Sequence, residues 1–279
     1  MNNDAQIDYW NGAAGQKWVE QSDRLDTMLA PFAERVLDTA SIQAGERALD
    51  IGCGAGVLTL GATRASGQTI GSLGVDVSAP LLALARKRAT DAHSPATFEC
   101  ADASSFATDE KLDLMISRFG VMFFEDPAVA FSNIRQQIRS GGRLSFVCWQ
   151  ALPLNDWAFA PLQAALPLLK EMPATPDPEA PGPFAFADQD RVNQILSDSG
   201  WSDISVEPFT TKITLPGSDV ETSAKFMLQL GPLSRLIAEQ GLDKQTVEQA
   251  VIDRLETNVQ GDGRVAMRSA CWMVGAKTA

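Results

Sequence analysis

In Ala48-Leu49-Asp50-Ile51-Gly52-Cys53-Gly54-Ala55-Gly56, three alternating glycines follow the apolar run from Arg47 to Ile51 and precede a helix-like run from Val57 to Arg64. That order reads strand, tight turn, helix. A backbone without a Cβ turns sharply and lets a ligand come close. Turns of this kind at the carboxyl end of a parallel strand carry nucleotides in α/β folds. Gly52, Gly54 and Gly56 therefore read as the floor of a nucleotide site. The competing reading is a tight turn with no ligand, because glycine-rich strand-to-helix turns are common and serve many ends.

The flanking sequence narrows the choice. The next strand, Thr69 to Val75, runs into Asp76, which lies 20 residues after Gly56 (76 − 56). At that separation an acid can take both hydroxyls of a ribose. The third strand, Thr97 to Ala101, runs into Asp102. Asp50, Asp76 and Asp102 then share one edge of a parallel sheet. A dinucleotide fits this edge poorly. The dinucleotide fingerprint wants its third glycine where Val57 stands. A pyrophosphate also seeks a positive neighbourhood, and three carboxylates repel it. This charge argument weighs against an NAD-dependent oxidoreductase more than the glycine spacing does.

The pieces Leu49 to Gly56, Gly74-Val75-Asp76-Val77-Ser78, Cys100-Ala101-Asp102-Ala103 and Ser140-Gly141-Gly142-Arg143-Leu144 together resemble the class I S-adenosylmethionine-dependent methyltransferases. The resemblance is close over residues 45 to 150 and looser in a C-terminal strand pair. The chain also looks like the broad ubiquinone and menaquinone methyltransferase family. The resemblance implies a Rossmann-like, seven-stranded, mostly parallel sheet with helices on both faces and helical lid insertions. It implies S-adenosylmethionine as cofactor. Gly52, Gly54 and Gly56 would pass beneath its methionine part, and Asp50 would reach its amino group. Asp76 would hold the ribose diol, with Val77 beside it. Asp102 would accept from the adenine amino group, with the Ala103 N–H near the ring. Cys53, Ser117 and Trp18 complete the expected cofactor set.

Composition sets outer bounds. A chain of 279 residues with net charge −12 suits one α/β domain with insertions and disfavours nucleic acid as partner. Residues 1 to 4 carry neither a basic region nor an apolar core, so no signal peptide is expected. No apolar run reaches about 18 residues, so no membrane partner is expected either. Cys53, Cys100, Cys148 and Cys271 form no CxxC pair and read as buried free thiols of a cytoplasmic protein. With one histidine and scattered cysteines, no metal site is visible.

The chain reads as a single domain over 1–279, with an N-terminal helical cover over 1–44 and a cofactor-binding core over 45–150. Helices are expected over 4–23, 27–40, 79–92 and 128–139. The last should stop at Ser140-Gly141-Gly142, before a fifth strand from Arg143 to Trp149. Arg86, Lys87 and Arg88 read as a solvated helix face. Prolines including Pro173, Pro176 and Pro178 stiffen the insertion at 151–187, after an expected helix over 156–170. Helices are expected at 188–199 and through 219–260, broken at Gly231-Pro232 and Gly241. Strands are expected at 201–215 and 267–276. The insertions 151–187 and 216–263 follow the fifth and sixth strands, where loops shape ligand crevices. They read as a lid, with a homodimer contact as the alternative.

The donor of such a reaction is already activated, so alignment and exclusion of water matter most. The lone histidine, His93, sits in a turn before the third strand, away from the active edge. A histidine base is therefore absent. Tyr9 and Arg118 are the catalytic candidates. Arg118 would face an acceptor carboxylate or pair with Asp113, Glu125 or Asp126. Phe119, Met122, Phe123, Trp149, Trp157, Phe184, Phe186 and Phe226 read either as core or as the wall of an apolar acceptor pocket. The expected activity is O-, N- or C-methylation of a small, largely apolar organic molecule. The alternative is a non-catalytic S-adenosylmethionine-binding module.

Overall fold

The computed structural model describes residues 3–173, 177–229 and 231–279. Pro176, counted above in the stiff loop, and Leu230, counted in the long helical stretch, lie outside these. The chain divides into two compact units. The first holds residues up to Trp149 together with 179–209 and 271–279. The second holds 150–178 and 210–270, which takes in both segments read as insertions except 179–187.

The first unit opens with α1 (Asp4–Asn11), α2 (Ala13–Glu20) and α3 (Ser22–Ala40). Gly12 breaks the single helix expected over 4–23, since its extended backbone cannot continue the turn. In α3, Leu25, Met28, Leu29, Phe32, Ala33, Val36 and Ala40 form one buried stripe at helical spacing. Then come β1 (Ala48–Ile51), α4 (Val57–Ala65), β2 (Leu73–Asp76), α5 (Ala79–Asp91), β3 (Thr97–Cys100), β4 (Leu112–Arg118), α6 (Pro127–Gln137) and β5 (Ile138–Trp149). The second unit contributes α7 (Asp156–Ala165), and the chain returns to the first for α8 (Gln189–Asp198). Next, β6 (Ser202–Thr214) leads out to α9 (Val220–Met227), α10 (Gly231–Gln240) and α11 (Lys244–Leu255), and β7 (Ala266–Lys277) leads back.

The strands form one seven-stranded sheet in the order β3-β2-β1-β4-β5-β7-β6. β3, β2, β1, β4 and β5 are mutually parallel, and β7 runs antiparallel to β5. Helices cover both faces, as neighbours on β5 show. Ser145 Oγ donates to the Val36 carbonyl of α3 at 3.2 Å. The next residue, Phe146, packs its ring 5.5 Å from Phe131 of α6. Adjacent strand residues point to opposite faces.

One expected stop signal behaves differently. α6 ends at Gln137, and Ser140-Gly141-Gly142 lies inside β5. Leu112 pairs with Ile138 but Leu114 pairs with Arg143, so the glycines form a bulge. A Cβ on Gly142 would come within 2.3 Å of Ile138 Cγ2. The strand turns back on itself there, and only glycine fits.

In the second unit the helix expected over 156–170 ends at Ala165, and a short 3-10 turn, Leu166–Leu168, follows. Asn155 is fully buried and anchors this unit's backbone. Its amide donates to the Gln150 carbonyl at 3.0 Å, and its carbonyl accepts the Ala270 N–H at 2.9 Å.

Candidate active site

The glycine loop is built from β1 outward. The Gly52 and Cys53 N–H groups donate to the Val75 carbonyl of β2, at 2.9 and 3.2 Å. Gly52 has φ +65°, and its missing Cβ would stand 2.6 Å from Gly120 Cα. The loop therefore packs backbone to backbone against the segment after β4. Gly54 has φ +52° with open space where a Cβ would be. It is the bare, left-handed floor that a ligand can approach.

The three acids form a staircase. Asp50 pairs in register with Gly74, and Gly74 with Phe98. Asp76 thus lies two residues further toward the edge, and Asp102 two further still, roughly 6–7 Å per step at strand rise. Asp50 is buried, and its Oδ2 accepts the Thr59 hydroxyl at 2.6 Å while Oδ1 has no partner. Burial pushes its carboxyl up to about 7, against the Thr59 bond and the Arg118 charge, which pull it down. Asp76 spans the loop: Oδ2 accepts the Gly54 N–H and Oδ1 the Ser78 N–H, both at 2.8 Å. Burial raises its carboxyl too, against those backbone bonds. Each oxygen keeps a lone pair for a further donor. Asp102 Oδ1 accepts the Ser104 N–H at 2.8 Å, and Asn133 Nδ2 of α6 donates to the Ala103 carbonyl at 2.9 Å.

The N-terminal helices are clamped beside Asp76. Asn11 Nδ2 donates to the Val77 carbonyl at 2.8 Å, and its Oδ1 accepts the Ala79 N–H at 3.0 Å. Ser78 Oγ donates to the Trp10 carbonyl at 2.9 Å. Trp10 meets Trp18 edge-on at 5.5 Å and Phe123 at 5.4 Å. Trp18 and Phe123, both expected at the site, are thus joined through Trp10. Tyr9 is 58% exposed and touches Trp10 at 5.3 Å.

Several expectations are corrected. Arg118 pairs with neither Asp113, Glu125 nor Asp126: its Nη2 binds Asp26 of α3 at 2.8 Å. Arg88 is not on a solvated face. Three residues after buried Ala85, it lies at the rim of the packed stripe and binds Asp26 at 2.8 Å and Asp23 at 2.7 Å. Ser117 is buried, and its hydroxyl donates to the Ile51 carbonyl at 2.7 Å and accepts the Gly120 N–H at 3.1 Å. These two bonds tie the loop after β4 to the end of β1. Cys100 is exposed, because β3 is an edge strand, while Cys53, Cys148 and Cys271 are buried.

Of the proposed pocket walls in the first unit, Met122 and Phe186 are at most 2% exposed. Phe119 and Trp149 stack on each other at 4.0 Å and 10°. These four are core. Phe123 and Phe184 are half-buried. In the second unit Phe226 is core and Trp157 is half-buried.

Sequence reasoning missed Thr59, Asp26, Asn11 and the left-handed Phe119. Thr59 follows Asp50 by nine residues and sits in the first turn of α4, which was a readable signal. Phe119, at φ +63°, was not: a bulky residue adopts that conformation only where packing imposes it.

This sheet order, with a glycine loop after β1 and an acid closing β2, is the Rossmann-like fold of methyltransferases of known structure. Residues 49–146 match the model described as a methyltransferase domain. The demethylmenaquinone methyltransferase of Staphylococcus saprophyticus is 22% identical over 203 residues, 67% of this chain and 86% of that protein. Aklanonic acid methyltransferase of a Streptomyces species is 29% identical over 128 residues, 44% of this chain and 58% of that protein. Among solved structures, phosphoethanolamine N-methyltransferase 2 of Haemonchus contortus, in complex with S-adenosyl-L-methionine, aligns at TM-score 0.59 with 16% identity. That alignment covers 100% of this chain and 60% of the other. Residues 49–146 thus carry a methyltransferase domain, and the chain around it is similar in sequence and fold to S-adenosylmethionine-dependent methyltransferases.

Proposed function

We propose that the protein methylates a small organic acceptor with an apolar body, of the phenol or quinone kind. The observation that carries the cofactor side is the pairing of open, left-handed Gly54 with buried Asp50, which keeps an unpartnered oxygen, and half-buried Asp76. These residues suit a cationic, hydroxyl-rich ligand and oppose a phosphate. Asp76 takes the ribose hydroxyls through its free lone pairs, and Asp102 with Ala103 takes the adenine. Asp50 Oδ1 takes the α-ammonium. Bound there, S-adenosylmethionine supplies an activated methyl group, which an acceptor lone pair takes in line as the C–S bonding pair stays on sulfur.

On the acceptor side, support comes from the relatives that methylate demethylmenaquinone and aklanonic acid, and from half-buried Phe123 and Phe184. The one histidine, His93, is exposed in the turn before β3. Catalysis therefore rests on alignment, and an acceptor that arrives deprotonated needs no base. Tyr9, more than half exposed, serves the N-terminal cover rather than the reacting atoms. A screen of phenolic, quinone and carboxylate metabolites with methyl-labelled cofactor tests the reading. Label transferred only to nucleic acid or protein would overturn it.

A further inference from the structure

Two of the buried side-chain atoms that find no partner, Asp50 Oδ1 and Arg118 Nη1, belong to adjacent parallel strands and opposite charges. Asp50 pairs in register with Ile116, so Arg118 stands two residues nearer the sheet edge with its side chain on the same face. Its charge is close enough to pull the Asp50 carboxyl down.

The guanidinium is held from one side only. Nη2 binds Asp26 Oδ1 at 2.8 Å, and the other oxygen of Asp26 binds Arg88 Nη1 at 2.8 Å. That same Arg88 nitrogen reaches the Ala55 carbonyl of the glycine loop at 3.2 Å. Two arginines thus share the half-buried carboxylate of Asp26, and Asp23, the further partner of Arg88, is 95% exposed. A buried polar atom left bare is destabilising, so a native site is expected to fill such a pair. An α-amino acid presents an ammonium and a carboxylate on one carbon, which matches an acceptor and a donor set side by side.

We propose that Arg118 binds the α-carboxylate of the cofactor's methionine end through Nη1, while Asp50 Oδ1 takes the ammonium. Arg118 is then a cofactor-positioning residue, held by Asp26 and not directed at the acceptor. The inference rests on the cofactor reading given above.

The test is calorimetry on the full chain with three ligands. S-adenosylhomocysteine carries the whole amino acid, decarboxylated S-adenosylmethionine keeps the ammonium and the methylsulfonium but lacks the carboxylate, and 5′-methylthioadenosine lacks both ammonium and carboxylate. Arg118→Met should weaken S-adenosylhomocysteine by roughly 10- to 100-fold, the loss of one charged hydrogen-bond partner. It should change the other two less than about threefold. Asp26→Asn keeps the guanidinium and should cost S-adenosylhomocysteine under about fivefold. Equal loss for all three ligands, no loss for any, or an Asp26→Asn loss equal to that of Arg118→Met overturns the proposal. If Arg118→Met does not fold, the wild type decides: no preference for S-adenosylmethionine over its decarboxylated form overturns it. A wild type that binds none of the three overturns the cofactor reading as well.

Discussion

Asp50 should couple cofactor affinity to pH. In the free protein, burial holds its carboxyl at about 7, facing Thr59, Cys53, Asp76 and Arg118. An ammonium at Oδ1 stabilises the carboxylate and returns the bound-state value toward the ordinary 3.8. Binding then releases a proton whenever the free protein holds one. Affinity for S-adenosylhomocysteine should be about half its plateau at pH 7, roughly tenfold weaker at pH 6 and roughly a hundredfold weaker at pH 5. Proton release, read by calorimetry in buffers of differing ionisation enthalpy, should rise from about half a proton at pH 7 to about 0.9 at pH 6. Asp50→Asn should flatten the profile. It should bind more weakly than wild type at pH 7.5 by about 1.5–3 kcal/mol and approach wild type at pH 5.

The stability of the free protein moves the other way. A carboxyl raised from 3.8 to about 7 by folding adds stability that is complete below pH 4 and is lost as pH rises through 7. The advantage of wild type over Asp50→Asn should therefore shrink by up to about 4 kcal/mol across that window. Affinity rising while relative stability falls is a pairing that a general acid effect does not produce. A wild-type affinity constant within twofold from pH 7.5 to 5.5, or the same slope in Asp50→Asn, refutes the reasoning.

Other outcomes follow from the same geometry. Asp76→Ala should weaken S-adenosylhomocysteine by roughly 2–3 kcal/mol in calorimetry. It should also lower the melting temperature, since the Gly54 and Ser78 N–H groups lose their acceptor. Gly52→Ala forces a Cβ to 2.6 Å from Gly120 Cα at φ +65°, and should lose about 1–3 kcal/mol of stability in urea unfolding together with cofactor binding. Met122→Ala, a core change, should destabilise by about 2–5 kcal/mol while folded protein keeps its S-adenosylhomocysteine affinity. Among the described residues no cluster of metal ligands occurs, and turnover should be unchanged by EDTA.

Local chemistry made much of this protein readable from the chain alone. Glycine spacing, the apolar run ahead of it and the acids closing successive strands are short-range signals, set by backbone sterics and by the two-residue period of a strand. They marked the strand-to-helix turn and the ends of three successive strands, while the seven-stranded sheet was implied by the family resemblance. The staircase of Asp50, Asp76 and Asp102 is their consequence once register is known. Long-range pairing was not readable. That Arg118 meets Asp26, 92 residues away (118 − 26), depends on how α3 lies against β4, and no local pattern encodes which of 35 acids reaches a given arginine. The aromatic residues divided the same way: their apolar character marked them for burial, but only packing decided that Phe119 and Trp149 stack within the core while Phe123 stays half-open. Solvation decided the rest. A carboxylate is an ordinary acid in sequence, and Asp50 becomes a group poised near neutrality only because the folded chain removes its water and leaves one oxygen unmatched.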